Sequence, residues 1–392
     1  MEPNLKRVLL LDTSFAARPI HDWLLEAGYE TWVIGNRPSD PLAVRDLSHY
    51  LQENYSDVAA TQAHIDRLGI THVVPGCTDV SIETALQLKV AGTRMDSAET
   101  HSQLGDKAKF RALCARLDLP APRVMDPAAL PPATKLIAKP VDSFSGRGIT
   151  VFNSGDKANV ARALDLARSE SRSGQVIIET FAEGELHSYS AFVEDRKVVD
   201  ASLVHEFGSV TPFAVDTSYL TQDFPPEAEA ALKSAIELIA LELGLVDGLV
   251  HTQFILDGTT VSIVESGRRC PGDLYPMLVE FSTGKRHAAR YASYFVGHAK
   301  PIEQTQRCRH ILRHTVTGSH APFECLSMRD PVQLVEFHPL AAMGRQPPPA
   351  NRIDRVGLLF AEFASQDALK SSYGMFASRS AYRTCCYTPD SS

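Results

Sequence analysis

The chain has 392 residues, 44% of them hydrophobic and 22% charged, an ordinary globular composition that excludes global disorder. Its length points to about two to four domains. Thirty-nine Lys and Arg against 47 Asp and Glu leave a net charge of −8 with no basic run, which argues against a broad nucleic-acid or anionic-membrane surface.

The first hundred residues alternate strand and helix. Arg7 to Leu11 reads as a buried parallel strand, and Ile20, Trp23, Leu24 and Ala27 follow at helical spacing up to Gly28. Tyr29 to Ile34 and His72 to Pro75 are further strands, with a helix through Ile65 and Leu68 between them. This is a doubly wound α/β pattern. Its first turn, Asp12-Thr13-Ser14-Phe15-Ala16, lacks the glycines that let backbone approach a pyrophosphate, so a nicotinamide-dependent oxidoreductase is disfavoured. Residues 100–119 are expected to form a basic amphipathic helix, with Leu104, Ala108, Leu113 and Leu117 inward and Lys107, Lys109 and Arg111 outward. The five prolines between Leu119 and Pro132 forbid a continuous helix there and mark a connection with one short edge strand. From Lys135 the pattern changes to strands and hairpins. Leu136 to Pro140 and Ile149 to Phe152 flank a glycine-containing loop. Helices follow over about 156–170 and 226–243, and a hairpin of Leu249 to Leu256 and Thr260 to Glu265 turns around Asp257-Gly258. Val356 to Phe363 reads as a strand, Gln366 to Lys370 as a helix start, and the last ten or so residues as loose.

No apolar run is long enough for a bilayer. The greasiest window, Ala235 to Val246, carries Glu237 and Glu242, and the Val8 to Leu11 run stops at Asp12, too short for a signal peptide. The seven cysteines show neither zinc spacing nor a disulfide framework. A cytoplasmic protein is expected.

Four features carry chemistry, in a fixed order. Lys139 precedes the loop Ser143-Phe144-Ser145-Gly146-Arg147-Gly148, whose backbone N–H groups suit phosphate oxygens; Lys107 adds a second charge. The bend Glu179-Thr180-Phe181-Ala182-Glu183-Gly184-Glu185 can present backbone to a purine and a carboxylate to ribose. The hairpin carries His251, Gln253 and Glu265, and magnesium prefers such hard oxygen donors. Arg268 and Arg269 directly follow, suited to a phosphate or carboxylate. Simpler readings stand beside these: a solvated Lys107, an ordinary turn at 143–148, a surface Glu185, a hydrogen-bonded His251, and an Arg268 paired with Asp273. His187 and His205 are read as strand residues near the site, without a role. Glu265 alternates with Val261 and Ile263 and is expected to face inward with them. Gln253 and Glu265 share a face only if the turn has an odd length, Asp257-Gly258-Thr259, which sets His251 opposite Glu265.

On these stretches, with Asp106-Lys107 and Arg111, Ile137 to Pro140, and Gln253 through Asp273, the chain resembles the ATP-grasp superfamily. The likeness is strongest to its carboxylate–amine ligases, of the L-amino-acid ligase and carbamoyl-phosphate-synthase type, and covers roughly residues 1–300. It implies an α/β domain over 1–98, an ATP-grasp N-lobe with a phosphate-covering loop over 99–180, a C-lobe with a metal site over 181–300, and a C-terminal extension or subdomain over 301–392. It further implies that Lys107, Lys139, Ser143, Ser145, Gly146, Arg147 and Gly148 hold ATP phosphates. Glu179, Thr180, Phe181 and Ala182 would line the adenine pocket, and Glu185 would meet the ribose. Gln253 and Glu265 would hold magnesium, with manganese an alternative; Arg269 and Lys139 would be catalytic; His251, Arg268 and Arg269 would contact substrate. The activity implied is coupling of a carboxylate, activated as an acyl phosphate, to an amine, with amino-acid-type substrates and a loop that closes over the phosphates. Other chemistry of the superfamily, or a silent nucleotide-binding module, remains an alternative, since Gln253 replaces the usual Glu and Gly267 the usual Asn. Partners are small molecules, with no nucleic acid and no membrane; a homodimer is left open. Phe207, Phe213 and Tyr275 are candidates for specificity.

Overall fold

The computed structural model describes residues 6–143, 146–209, 213–297, 308–318, 325–340 and 354–385. The front end is a parallel sheet of β1 (Arg7–Leu11), β2 (Glu30–Gly35), β3 (Tyr50–Gln52) and β4 (His72–Pro75), in the order β3-β2-β1-β4. Helices α1 (Arg18–Glu26), α2 (Pro41–Arg45), α3 (Val58–Leu68) and α4 (Asp79–Ala85) connect and cover it. Parallel strands buried on both faces read as continuous apolar runs, and Val8 to Leu11 are all fully buried. α3 starts where Asp57 accepts from the Ala60 amide and stops at Gly69 in the left-handed region, the capping chemistry its sequence carries. The first turn is filled by its own side chains. Asp12 accepts from the Cys77 and Ser14 amides and Thr13 donates to Asp40.

The predicted continuous helix over 100–119 is two helices, α5 (Ala98–Gly105) and α6 (Lys107–Arg116). Asp106 breaks them apart by taking an extended conformation and capping α6 through the Lys109 amide. The rotation this introduces changes the buried face. Phe110, Arg111, Leu113 and Cys114 point inward, so Arg111 is buried rather than outward, while Ala108 is exposed.

A small antiparallel sheet follows, β5 (Lys135–Pro140), β6 (Thr150–Asn153) and β7 (Val176–Thr180), in the order β6-β5-β7. It is backed by α7 (Lys157–Ser169), which buries Ala163 and Ala167 against Leu136, Ala138 and Ile178. In the proline-rich connection a single bridge pairs Val124 with Glu179.

The largest element is an eight-stranded sheet in the order β12-β11-β8-β9-β10-β13-β16-β15. Its strands are β8 (Glu185–Glu194), β9 (Lys197–Phe207), β10 (Thr217–Leu220), β11 (Gly248–Asp257), β12 (Thr260–Gly267), β13 (His310–Gly318), β15 (Gln333–Pro339) and β16 (Asp354–Phe363); a separate pair joins β14 (Cys325–Met328) to β17 (Tyr382–Cys385). Three of the eight strands lie beyond residue 300, so that region extends the sheet of the C-lobe rather than standing apart from it. On one face α8 (Pro226–Leu243) and α6 bury Tyr189, Val250, Phe254 and Ile263. α11 (Gln366–Ala377) covers the same sheet farther along, packing Phe376 with Leu312 and Leu359. α9 (Tyr275–Thr283) packs Leu278 and Val279 against Val204, Ile311 and Phe360. α10 (His287–Phe295) joins α1, Phe192 and Leu249 in one core that locks the front domain to the large sheet.

Candidate active site

Between the small sheet and the large one lies a cleft of about 1090 Å³. Lys107, Lys139, Ser143, Gly146, Glu179, Thr180, Phe181, Ala182, His251, Gln253, Glu265, Arg268 and Arg269 all contribute to its walls. Residues more than 150 positions apart therefore meet in one place.

Lys139 reaches it from β5. Its ammonium donates to Glu179 at 2.7 Å, and Arg111 meets the other oxygen of the same carboxylate at 2.8 Å. All three groups are buried. Burial pulls the Lys139 pKa below its ordinary value, against the opposing pull of Glu179. Glu179 is thus committed to two cations and meets the cleft as part of that cluster. Lys107 donates to the Ser143 carbonyl at 2.7 Å, tying the start of α6 to the loop. The Ser143 hydroxyl donates to the Arg147 carbonyl at 2.9 Å. Gly148, at φ +73, packs so closely on Pro140 and Glu170 that a Cβ would lie 2.7 Å from each; no larger residue fits there. Ser145 lies outside the described residues.

Beyond β7, Thr180 accepts from the Arg123 amide at 3.0 Å, and the Phe181 ring receives the Lys135 ammonium 4.2 Å from its centre. Gly184, at φ +131, passes so near β11 that a Cβ would meet the Leu256 carbonyl at 2.3 Å. Strand alternation then sends Leu186 to the cleft and Glu185 to the other face, where its carboxylate lies 3.7 Å from His205 Nε2. The structure therefore does not bring Glu185 to the cleft wall as the sequence reading expected.

The β11–β12 hairpin corrects another expectation. The turn is even, with Asp257 paired to Thr260 across Gly258-Thr259, and Phe254 pairs with Ile263. The register then slips at Val264, so that Gln253 faces Glu265 directly and His251 faces Gly267. A bulge adds one residue and flips the following side chains. Val261 and Ile263 stay in the core, whereas Glu265 emerges exposed into the cleft. Gln253 and Glu265 do share a face, through a bulge rather than an odd turn. The Gln253 amide nitrogen donates to Glu206 at 2.6 Å, which leaves its oxygen for another partner. Glu265 forms no hydrogen bond or ion pair among the described residues. An amide oxygen beside an unpaired carboxylate is a hard-oxygen donor set that fits magnesium.

His251 bonds the Ser190 hydroxyl through Nδ1 at 2.6 Å, and burial takes its pKa down to about 3, so it is neutral at neutral pH. Arg268 is committed mainly to the fold. Each of its three nitrogens donates once, to Asp96 at 2.7 Å and to the Leu249 and Val246 carbonyls; its partner is Asp96, not Asp273. Arg269 stands at the cleft with its guanidinium held by Asp79 at 2.6 Å. Burial opposes its charge, but Asp79 raises its pKa above the ordinary value. Of the aromatic candidates, Phe213 lines the cleft. Phe207 lies on the far face, stacked on Tyr373, and Tyr275 is buried against Ser188.

Sequence reasoning missed Glu206, Asp79 and Arg355, and paired Asp273 with Arg268 rather than with Arg355. Asp79 had a local signal, the Gly76-Cys77-Thr78 turn opening a helix. Arg355 comes from β16 and pairs with Asp273 at 2.6 Å at the cleft wall; only the strand order reveals it.

No family model matches the chain. It is 26% identical over 262 residues to the carbamoyl phosphate synthase large chain of Deinococcus radiodurans, which covers 63% of this chain and 25% of that one. The chain thus spans about a quarter of the length of the curated relatives it matches. Among solved structures, phosphoribosylglycinamide synthetase from Anaerococcus prevotii superposes with a TM-score of 0.76 at 15% identity, covering 98% of this chain and all of the other. L-amino acid ligase from Bacillus licheniformis gives 0.70 at 14% identity, over 99% and 100% of the two chains. The biotin carboxylase domain of Hydrogenobacter thermophilus 2-oxoglutarate carboxylase, solved with MgADP and bicarbonate, gives 0.74 at 14% identity, over 97% and 90%. The two-lobed cleft and these likenesses together establish that the chain has the ATP-grasp fold.

Proposed function

We propose that the protein is an ATP-dependent ligase that activates a carboxylate as an acyl phosphate and couples it to an amine, with amino-acid-type substrates. The observation that carries this reading is the meeting of Lys107, Lys139 and Arg269 with the Gln253–Glu265 pair in one cleft. A triphosphate needs positive charge along its oxygens and a divalent cation to bridge them, and little covalent chemistry from the protein. Gln253 and Glu265 would hold the magnesium, which when bound offsets phosphate charge. Lys139, aimed by Glu179, and Lys107, which anchors the phosphate-side loop, stabilise charge on the phosphates. The substrate carboxylate attacks the γ-phosphorus and ADP leaves. The amine then attacks the acyl carbon and phosphate departs. Arg269, fixed by Asp79, sits where a guanidinium can stabilise negative charge in both steps. Thr180 to Ala182 form the wall for the adenine. His251, neutral and held by Ser190, orients substrate as a hydrogen-bonding group rather than as a cation.

The carbamoyl phosphate synthase and biotin carboxylase likenesses favour a second reading, in which a carboxylate or bicarbonate is phosphorylated without an amide being formed. A phosphate-release screen over paired acids and amines, with mass detection of products, separates the two. Release that needs both partners and yields an amide supports the ligase. Release with acid alone supports the second reading, and no release with any pair contradicts both.

A further inference from the structure

On the face of the large sheet away from the cleft, three side chains converge. Glu185 and His187 are two apart on β8 and so share a face, and His205 on β9 sits directly opposite His187. The two imidazole rings stack with centroids 4.3 Å apart, and the Glu185 carboxylate lies 3.7 Å from His205 Nε2. One donor atom from each residue lies within 4.8 Å of the other two. The histidines are 2% and 6% exposed, walled by Phe224, Phe254 and Phe207, while Glu185 stands at the solvent edge.

Two further observations point to a ligand here. Among the described residues His205 Nε2 is buried with no hydrogen-bond partner, an arrangement that costs free energy unless something else takes up the nitrogen. His187 Nδ1 lies 3.1 Å from the Glu185 carbonyl. A carbonyl only accepts, so the ring proton is on Nδ1 and Nε2 offers its lone pair. His205 Nδ1 contacts the Tyr219 hydroxyl at 2.8 Å. Outer contacts of this kind fix the tautomer and orientation of metal-binding histidines. Lys370, on α11, opposes a cation at this place, but it is drawn toward Asp223 at 3.4 Å.

We propose that Glu185, His187 and His205 form a binding site for a divalent transition metal ion, zinc foremost, distinct from the magnesium position in the cleft. Two imidazole nitrogens and one carboxylate suit zinc, with a fourth position open to water, and do not suit magnesium. The Glu185–His205 separation is already close to the roughly 3.3 Å that two ligands at about 2.0 Å span across a tetrahedral ion. The ion braces β8 and β9 immediately behind the cleft. Gly184 and Leu186, which flank Glu185, line the cleft, and Glu206, next to His205, holds Gln253.

The test is a titration of the chelator-stripped full chain with zinc against a chromophoric competitor, repeated with cobalt(II) to read its visible absorption. One equivalent is expected to bind, with excess magnesium failing to displace it and cobalt(II) giving the intense bands of a low-coordinate site. E185Q and H205Q lose at least tenfold in affinity, whereas E265A and C308S, which remove the cleft carboxylate and an exposed thiol, retain it. Absence of stoichiometric binding by the natural chain, or unchanged affinity in E185Q and H205Q, overturns the proposal. If H205Q fails to fold, E185Q decides alone, since that side chain is 66% exposed.

Discussion

Two carboxylates face each other across the cleft from the two sheets, and they are used in opposite ways. Glu179, on the small sheet, is 0% exposed and clamped between Arg111 and Lys139. Glu265, on the large sheet, is open to the cleft and unpaired among the described residues. A buried charge without a partner is costly, and a hydrated one is not. The fold therefore commits Glu179 to aiming a lysine and keeps Glu265 available for something that arrives from solution. The adjacent arginines both line the cleft but differ in how firmly they are held: Arg268 donates from all three nitrogens, at 2.6 to 2.8 Å, to Asp96 and two carbonyls, while Arg269 is anchored through Nε by Asp79 and through Nη1 only by 3.4 Å contacts to the Cys77 and Cys270 carbonyls.

The largest effect separating the two carboxylates is on stability. Glu179→Ala leaves Arg111 and Lys139 buried without a counter-charge and is expected to cost about 3–5 kcal/mol, read as the loss in chemical denaturation. Glu265→Ala is expected to stay within about 0.5 kcal/mol of the parent, as exposed substitutions do. Equal losses in the two variants would break the comparison.

A second effect comes from acid. His287 and His314 are 3% and 0% exposed, and burial lowers both pKa values to about 3. In the unfolded chain they titrate near 6.5. Between those values the unfolded state binds more protons, so stability is intact above about pH 6.5 and falls as pH drops toward 3. Each histidine contributes a slope of up to about 1.4 kcal/mol per pH unit, measurable as the unfolding midpoint against pH. A flat profile from pH 7 to 4 would contradict the buried neutral assignment.

The smallest effect belongs to the rim. Lys135 pairs with Glu183 at 2.7 Å with both side chains largely exposed, and pairs of that kind contribute little. Glu183→Gln should leave the unfolding midpoint unchanged, and should respond to salt no differently from the parent. A clear drop would mean that the rim, like Glu179, is structural.

Much of this arrangement was legible in the residues. Apolar runs marked the parallel strands, the helix read over about 226–243 matches α8, and the order of Lys139, the loop, Gln253 and Glu265 marked the cleft. What escaped was set by non-local geometry. The face of Glu265 depends on a bulge at Val264, which no turn count reveals. Arg111 moved inward because Asp106 broke the helix before it. Glu185 sits one position from the residue that reaches the cleft, and a period of two turns that single step into the opposite face. Arg355 joins the cleft only because β16 pairs with β13 in the large sheet, a neighbour relation that sequence order does not contain. His187 and His205 meet for a similar reason, as a cross-strand pair.

The most direct measurement compares ATP turnover in the natural chain and Glu265→Ala, with magnesium and an acid–amine pair found by screening, alongside the unfolding midpoint of each. Phosphate release that drops on the order of 100-fold in the variant, about 2.7 kcal/mol of transition-state stabilisation, with an unchanged midpoint is the expected result. Undiminished release from a folded Glu265→Ala chain would contradict the assignment of that carboxylate to the nucleotide's cation.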